Sequence, residues 1–476
     1  MEEMMVVSKV DTVVHGGTVV TPTHTFEGGV AIKGEKIVGV GPDDTLPEAH
    51  NYIDATGKQV FPGAIDAHSH FDNVDPYELG IKAAALAGLT TVLPFGGYDV
   101  NAKETLPQAI NRLRDRLNKE AVLDYSFHFI LDNPEYILES LPEALSMGVT
   151  SYKLFMTYKK SLTRMCSDSF IAKAMEIIAE HNGIMQLHCE NGDVIDYLED
   201  KRIAAGLTKP TDFPASCPIW VEEEAINRAI NLGKMTNCPI YVVHLSTQAG
   251  LERIKRAQSE GQKVWTETCP QYLLLDESAM ETLGPLVKIG PPLRPSDHIN
   301  QKALWSGAAE GYISAVGSDH SPGSKELKEK GRENIYVADD GTPIPFGAPS
   351  IETLVPLVYS EGIGKRGLPL TWMARVLSEN PARIFGIYPR KGVIRPGSDA
   401  DLLIYDPNVT KTITADEHIG NSGYTPYEGW TQIGSPWMTL LRGKVVLNQG
   451  KLEQNSGFGE FISAGPPLPP VGGRVN

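Results

Sequence analysis

An α/β fold, a TIM (β/α)8 barrel with a β-sandwich domain built from the N- and C-terminal segments, follows from three features of the sequence. Eight apolar strand segments alternate with helical stretches through the middle of the chain, and eight is the number that closes a parallel barrel. Short β-rich blocks stand outside that alternation at both ends, which favours a barrel plus sandwich over a doubly wound sheet. The 476 residues exceed one ordinary core but suit a large barrel with an accessory domain. The boundaries that follow are 1–60 for the N-terminal part of the sandwich, 61–388 for the barrel, 389–458 for the C-terminal part of the sandwich and 459–476 for a Pro/Gly-rich tail.

In chain order, Thr12-Val13-Val14, Thr18-Val19-Val20, Gly28 to Ile32 and Lys36 to Val40 are short β-rich runs separated by turn residues. Such a meander is too small to hold a core alone. Asp399 to Tyr405 and Met438 to Val446 supply its partner. The barrel strands are Ala64–His70, Thr90–Phe95, Tyr125–Leu131, Ser151–Met156, Ile184–Cys189, Ile240–Leu245, Lys263–Thr268 and Ile313–Ser318. Between them, Asn101 can cap a helix with Glu104 as its third residue and Leu106, Ile110, Leu113 and Leu117 on one face. Ser167 or Asp168 opens another, with Ile171, Ala174, Met175 and Ile178 inward and Gly183 past its end. Glu222–Leu232, Gly250–Gln258 and Gln301–Ala309 are further crossovers. Ser321–Ala348, with Gly331, Gly341, Gly347 and three prolines, falls where an active-site loop belongs. Thr371–Leu377 and Asn380–Phe385 read as helix. The tail from Gly465 cannot form a regular element and is either disordered or an arm on a neighbouring subunit.

A formal charge of -16 and a pI near 5.3 repel phosphate backbones and anionic membranes, so nucleic acid and membrane are excluded as partners. No apolar run is long enough to span a bilayer. The opening Met1-Glu2-Glu3 is acidic where a secretory signal is basic, which points to the cytoplasm. The five cysteines are scattered, with no Cys-x-x-Cys pair, and read as reduced small hydrophobes.

Barrel enzymes draw their functional side chains from the C-terminal ends of several strands. Alternation puts Asp66, His68 and His70 on one face of the first strand. An isolated His-x-His is commonplace; the weight lies in what other strands deliver to the same end. Those are Lys153 on the fourth, His188 on the fifth, His244 on the sixth and Asp319 after the eighth. His128, between Phe127 and Phe129, reads instead as a hydrogen-bonded core residue.

Four imidazoles, an aspartate and a lysine suit two divalent metal ions. An ammonium would repel them. A lysine whose pKa is lowered by burial can add carbon dioxide, and the resulting carbamate on Lys153 would bridge two cations as a carboxylate does. Paired cations ionise a bridging water near neutral pH and polarise a substrate carbonyl, so attack by a metal-bridging hydroxide is the expected chemistry. Asp319 is placed to bind one metal, to take the proton of that water and to pass it to the leaving nitrogen. Tyr158 can donate to the developing oxyanion, although packing or a loop hydrogen bond explains it nearly as well.

The segments Phe61 to His70, Tyr152 to Tyr158, His188-Cys189-Glu190-Asn191, Val243-His244-Leu245-Ser246 and Gly317-Ser318-Asp319-His320 resemble the hydantoinase and dihydropyrimidinase branch of the amidohydrolase superfamily. Asn380 to Gly386 and Gly397 to Leu402 resemble its barrel-to-sandwich junction. The resemblance implies a binuclear centre, zinc in the first place with manganese, cobalt or nickel as alternatives. His68, His70, Lys153 and Asp319 would serve one ion, and Lys153, His188 and His244 the other. It further implies hydrolysis of a cyclic amide or ureide (hydantoin, dihydropyrimidine or cyclic imide), with Tyr158 at the oxyanion, in a homotetramer or homodimer.

Two departures from the family bear on the substrate. The loop Phe71 to Pro76 is short where relatives have a longer glycine-containing cover. Gly290 and Phe346 stand where the family often has serine and asparagine, so they should border a roomier, more apolar pocket and a bulkier or less polar substrate. The rival enzymes are an allantoinase and a dihydroorotase, the latter needing a cationic pocket that cannot be located in the sequence. A rival of another class is a non-catalytic dihydropyrimidinase-like assembly protein, which would lack metal ligands that this chain retains.

Overall fold

The computed structural model describes residues 9–132 and 134–472. Five strands precede the barrel: β1 (Val10–Val20), β2 (Thr25–Lys33), β3 (Lys36–Gly41), β4 (Ala49–Asp54) and β5 (Gln59–Pro62). β1 breaks register between Val14 and Gly17, and Gly16 takes a φ of 74° there. The bend lets its first half pair with β4 and its second with β5. The barrel strands follow as β6 (Ala64–Ser69), β7 (Leu89–Gly96), β8 (Asp124–Tyr125), β9 (His128–Ile130), β10 (Ser151–Phe155), β11 (Ile184–His188), β12 (Ile240–Val242), β13 (Val264–Thr268) and β14 (Ala315–Val316). β15 (Leu402–Thr412), β16 (Thr431–Leu441), β17 (Lys444–Asn448) and β18 (Lys451–Leu452) return to the first block, with β15 antiparallel to β5. The resulting mostly antiparallel sheet buries Val14, Val19, Val30, Ile32, Val60, Leu402, Ile404 and Leu440 together, residues from both chain ends.

The barrel strands are all parallel in the order β6-β7-β9-β10-β11-β12-β13-β14, with β8 a second short partner of β7, so the third strand is split in two. A Ser69–His320 bridge nearly closes the ring. The seam is held by Asp66, which accepts from the Ser318 amide at 3.0 Å and the Ser318 hydroxyl at 2.6 Å. One residue, Gly63, joins sheet to barrel. A Cβ there would lie 2.3 Å from Thr90 Oγ1, so only glycine lets the two domains approach this closely.

Three local expectations change. The helix after β7 spans Leu106–Glu120 and is capped by Thr105 with Gln108 in a capping box. Asn101 is left in a turn whose amides are held by Asp99, and Glu104 pairs with Arg112. The segments after the barrel fuse into one helical run, Leu370–Ala374, a π-turn Arg375–Glu379 and Asn380–Ile384. The tail, through residue 472, lies against its own barrel, on neither of the two expected courses. Ile462, Ala464, Gly465 and Leu468 donate amides to Tyr125, Gly148, Gly386 and Arg383, and Ile462 is buried. Among the described residues no helix is long and apolar enough to cross a membrane, and the five cysteines are free and buried.

Candidate metal centre

All six metal-type residues meet at the C-terminal end of the barrel. His68 and Lys153 point inward from β6 and β10 and are buried. His188 ends β11; His244 and Asp319 lie past β12 and β14 with φ of 37° and 49°. Left-handed backbone at two non-glycine residues is costly and is tolerated where it aims a side chain. His68 Nε2 lies 3.3 Å from His70 Nε2, 3.1 Å from Lys153 Nζ and 3.1 Å from Asp319 Oδ1, and His70 Nε2 lies 3.8 Å from the same oxygen. The His188 and His244 rings sit 4.3 Å apart, and His244 is 5.5 Å from His68.

The donor set fits divalent cations. Burial, then Lys153, holds His70 and His188 well below the usual imidazole range, and burial with His188 does so for His244. Neutral imidazoles are the ligating form. The His68 and His70 Nε2 atoms face each other at 3.3 Å, and His244 Nδ1 is buried without a hydrogen-bond partner. His68 differs: burial and Lys153 oppose its protonation, but Glu267 and Asp319 outweigh them and raise its pKa. Those anions hold a place for positive charge that a bound cation would supply. Burial lowers Lys153 to about 8, so a substantial fraction of its amine is neutral near pH 7.5.

Tyr158 leans over the centre, its ring 4.9 Å from His188. Burial, then Glu190 and Asp319, keeps its hydroxyl protonated and able to donate. Gly290 is explained by this tyrosine, because a Cβ would stand 2.1 Å from its hydroxyl oxygen. The space freed at Gly290 is therefore filled by Tyr158, and Phe346 packs 5.0 Å from the same ring. What remains beside Glu190, Glu199 and Phe213 is about 10 Å³, room for one water. Burial raises both glutamates to about 7. The expected roomier, apolar pocket is thus replaced on this side by a narrow, acid-lined one. The centre opens instead beside His70, whose side chain is 17% exposed and stacks on Phe95.

Sequence reasoning missed the residues that orient these groups. Glu267 on β13 accepts from His68 Nδ1 and from Tyr241 at 3.0 Å, fixing His68 with Nε2 toward the centre. Its signal was a charged residue inside the apolar run Val264–Thr268. Glu190 Oε2 holds His188 Nε2 at 2.7 Å. Glu222 and Arg294 secure the Ser246 loop behind His244. The short Phe71–Pro76 loop is pinned by Asp75, which meets His320 Nε2 at 3.1 Å and the Asn421 amide at 2.6 Å. His128 is a core residue, bonded to Ser151 and to the Ala67 carbonyl at 3.0 Å. A second acidic group, Asp124, Asp399 and Asp401, is filled by Lys391, whose Nζ lies 2.5 to 2.9 Å from all three.

Comparison with known proteins gives the family and agrees with the fold. Residues 59–446 match the amidohydrolase family. The chain is 36% identical over 464 residues to a D-hydantoinase of Geobacillus stearothermophilus, covering 94% of this chain and 95% of that one. It is 35% identical over 430 residues to a D-phenylhydantoinase of Escherichia coli, covering 88% and 90%. The crystal structure of a dihydropyrimidinase from Brevibacillus agri superposes with a TM-score of 0.90 at 36% identity, over 96% of this chain and 100% of that one.

Proposed function

The chain belongs to the amidohydrolase family and is a metal-dependent cyclic amidohydrolase; from that premise we propose that it opens hydantoin, dihydropyrimidine or related imide rings at a binuclear centre. The observation that carries the proposal is the meeting of His68, His70, Lys153, His188, His244 and Asp319 at one barrel end with their side chains turned toward one another.

In this reading His68, His70, Lys153 and Asp319 hold one divalent ion and Lys153, His188 and His244 the other, zinc being first choice for imidazole and carboxylate donors. To serve both ions, Lys153 would be present as a carbamate. Its neutral amine adds to carbon dioxide, forming an N–C bond and releasing one proton. Bound there, the metal pair supplies Lewis acidity and lowers the pKa of water toward neutrality. Asp319 accepts the proton of the attacking water and returns it to the ring nitrogen as the C–N bond breaks. The Tyr158 hydroxyl donates to the carbonyl oxygen as charge develops on it. Glu267 and Glu190 keep His68 and His188 in register. Gly290 and Phe346 border the ring on its closed side, so any substituent leaves on the His70 side.

The enzyme is further proposed to be a cytoplasmic homodimer or homotetramer. Exposed Tyr197, Trp220 and Met235 on the helices 192–204 and 219–236 offer apolar surface for such an assembly to cover. The test is ring opening across hydantoins, dihydropyrimidines, cyclic imides and allantoin, with and without a chelator. Metal-dependent opening of the first three classes is expected. Opening of allantoin alone, or of none by metal-loaded protein, would overturn the reading.

A further inference from the structure

The open side of the centre carries an unclaimed cation. Arg164 follows Tyr158 in the loop after β10 and is tied back to it, its amide donating to the Tyr158 carbonyl at 3.0 Å. Its guanidinium carbon stands 5.8 Å from the centre of the Phe155 ring. Among the described residues that guanidinium makes neither a hydrogen bond nor an ion pair, whereas Arg112, Arg116, Arg228 and Arg253 each hold a carboxylate. The same Phe155 ring lies 5.1 Å from Lys153 Nζ and 5.6 Å from the His188 ring, so the guanidinium stands at the rim of the centre.

The surroundings give that cation a direction. Phe95, Ile130 and Phe155 form an apolar wall on which Tyr158 packs, so a ring lying against the centre is clamped between aromatic faces. On the Tyr158 and Phe346 side Glu190 and Glu199 leave room for one water only. His70 stacks on Phe95 at one end of that wall and Arg164 covers Phe155 at the other, so a substituent lying along the wall meets the guanidinium. In a chain of net charge -16, an arginine with no ion pair among the described residues, at the rim of the centre, is a local reversal of sign.

We propose that Arg164 is the substituent-recognising residue of this active site and that the preferred substrate is a cyclic ureide bearing a carboxylate on a short arm. The inference rests on the ring-opening function above and deepens it by naming the chemical class of the side arm. A guanidinium over an aromatic ring keeps its donor edge free and takes a carboxylate by two parallel hydrogen bonds.

The probes are a hydantoin with a 2-carboxyethyl arm at the ring carbon and the corresponding uncharged amide. The metal-loaded wild type should favour the acid over the amide in kcat/KM by about tenfold or more, the range of a hydrogen bond to a charged group. Arg164→Gln should bring that ratio to about one, chiefly through KM, and Arg164→Lys should keep part of it. Raising the salt to about 0.5 M should lower the wild-type ratio and leave that of Arg164→Gln flat. A wild-type ratio near one, or an equal ratio in wild type and Arg164→Gln, overturns the assignment while leaving ring opening intact. Failure of the wild type to open either compound overturns both.

Discussion

Two buried lysines in this protein sit among groups of metal-ligand type, and their surroundings push their pKa values in opposite directions. Lys391, where the barrel meets the sandwich, touches Asp124, Asp399 and Asp401, and Arg442 adds a second cation on Asp124. Burial opposes its charge, but the three carboxylates outweigh burial and raise its pKa. Lys153, at the open end of the barrel, faces His68 Nε2 and two aromatic rings, and burial wins. One cluster neutralises itself and has nothing left to bind. The other gathers imidazoles and a partly neutral amine with no cation among them but the lysine itself. The contrast separates structural charge from chemical charge better than residue type does, since acids and a lysine occur in both.

Substitutions at the two lysines should break along that line. Lys153→Ala should lose bound metal and cut ring opening by about 10³-fold or more, with partial rescue by an added short carboxylate; metal analysis and turnover check it. A fully active variant would remove the bridging role. Tyr158→Phe should lower kcat by about 10²-fold with metal content unchanged, the size of a lost oxyanion donor. Glu267→Gln should weaken metal affinity by about 10-fold or more through a loosened His68. Lys391→Met should leave metal affinity alone and cost about 3–5 kcal/mol in denaturant unfolding, because three buried carboxylates lose their cation.

Acid should reach the Lys391 cluster late, after the buried glutamates beside the metal centre. Burial pushes Asp399 up, but Lys391, Lys36 and Arg390 outweigh it and hold it from the ordinary 3.8 down to about 2. A depressed carboxyl contributes stability that is full above its unfolded pKa and lost below its folded one. Metal-free protein should therefore lose this contribution as pH falls from about 4 to 2, and the loss should be absent in Asp399→Asn. This is the smallest of the effects and is read from urea midpoints.

Much of this was legible beforehand because strands obey a two-residue period and barrels deliver side chains at one end. Those rules brought His68, Lys153 and His188 to the centre directly. His244 and Asp319 were also foreseen, though they stand past their strands on positive φ, which no periodicity reports. Glu267 was hidden because a charged residue in a strand is ambiguous until its partner's position is known. Gly290 was misjudged for a related reason: a missing side chain implies space, and here Tyr158 occupies it. The tail was misread because its prolines exclude regular structure without excluding order. Its amides find partners on the barrel's closed end.

The central claim is that six residues of one barrel end hold two ions that the chemistry requires. Metal content per chain in gently purified protein, measured alongside ring opening before and after chelation, tests it most directly. About two divalent ions per chain should be found, and activity should vanish with their removal and return with their replacement. Ring opening by protein that carries no metal, or two bound ions that survive combined loss of His68 and His188, would contradict it.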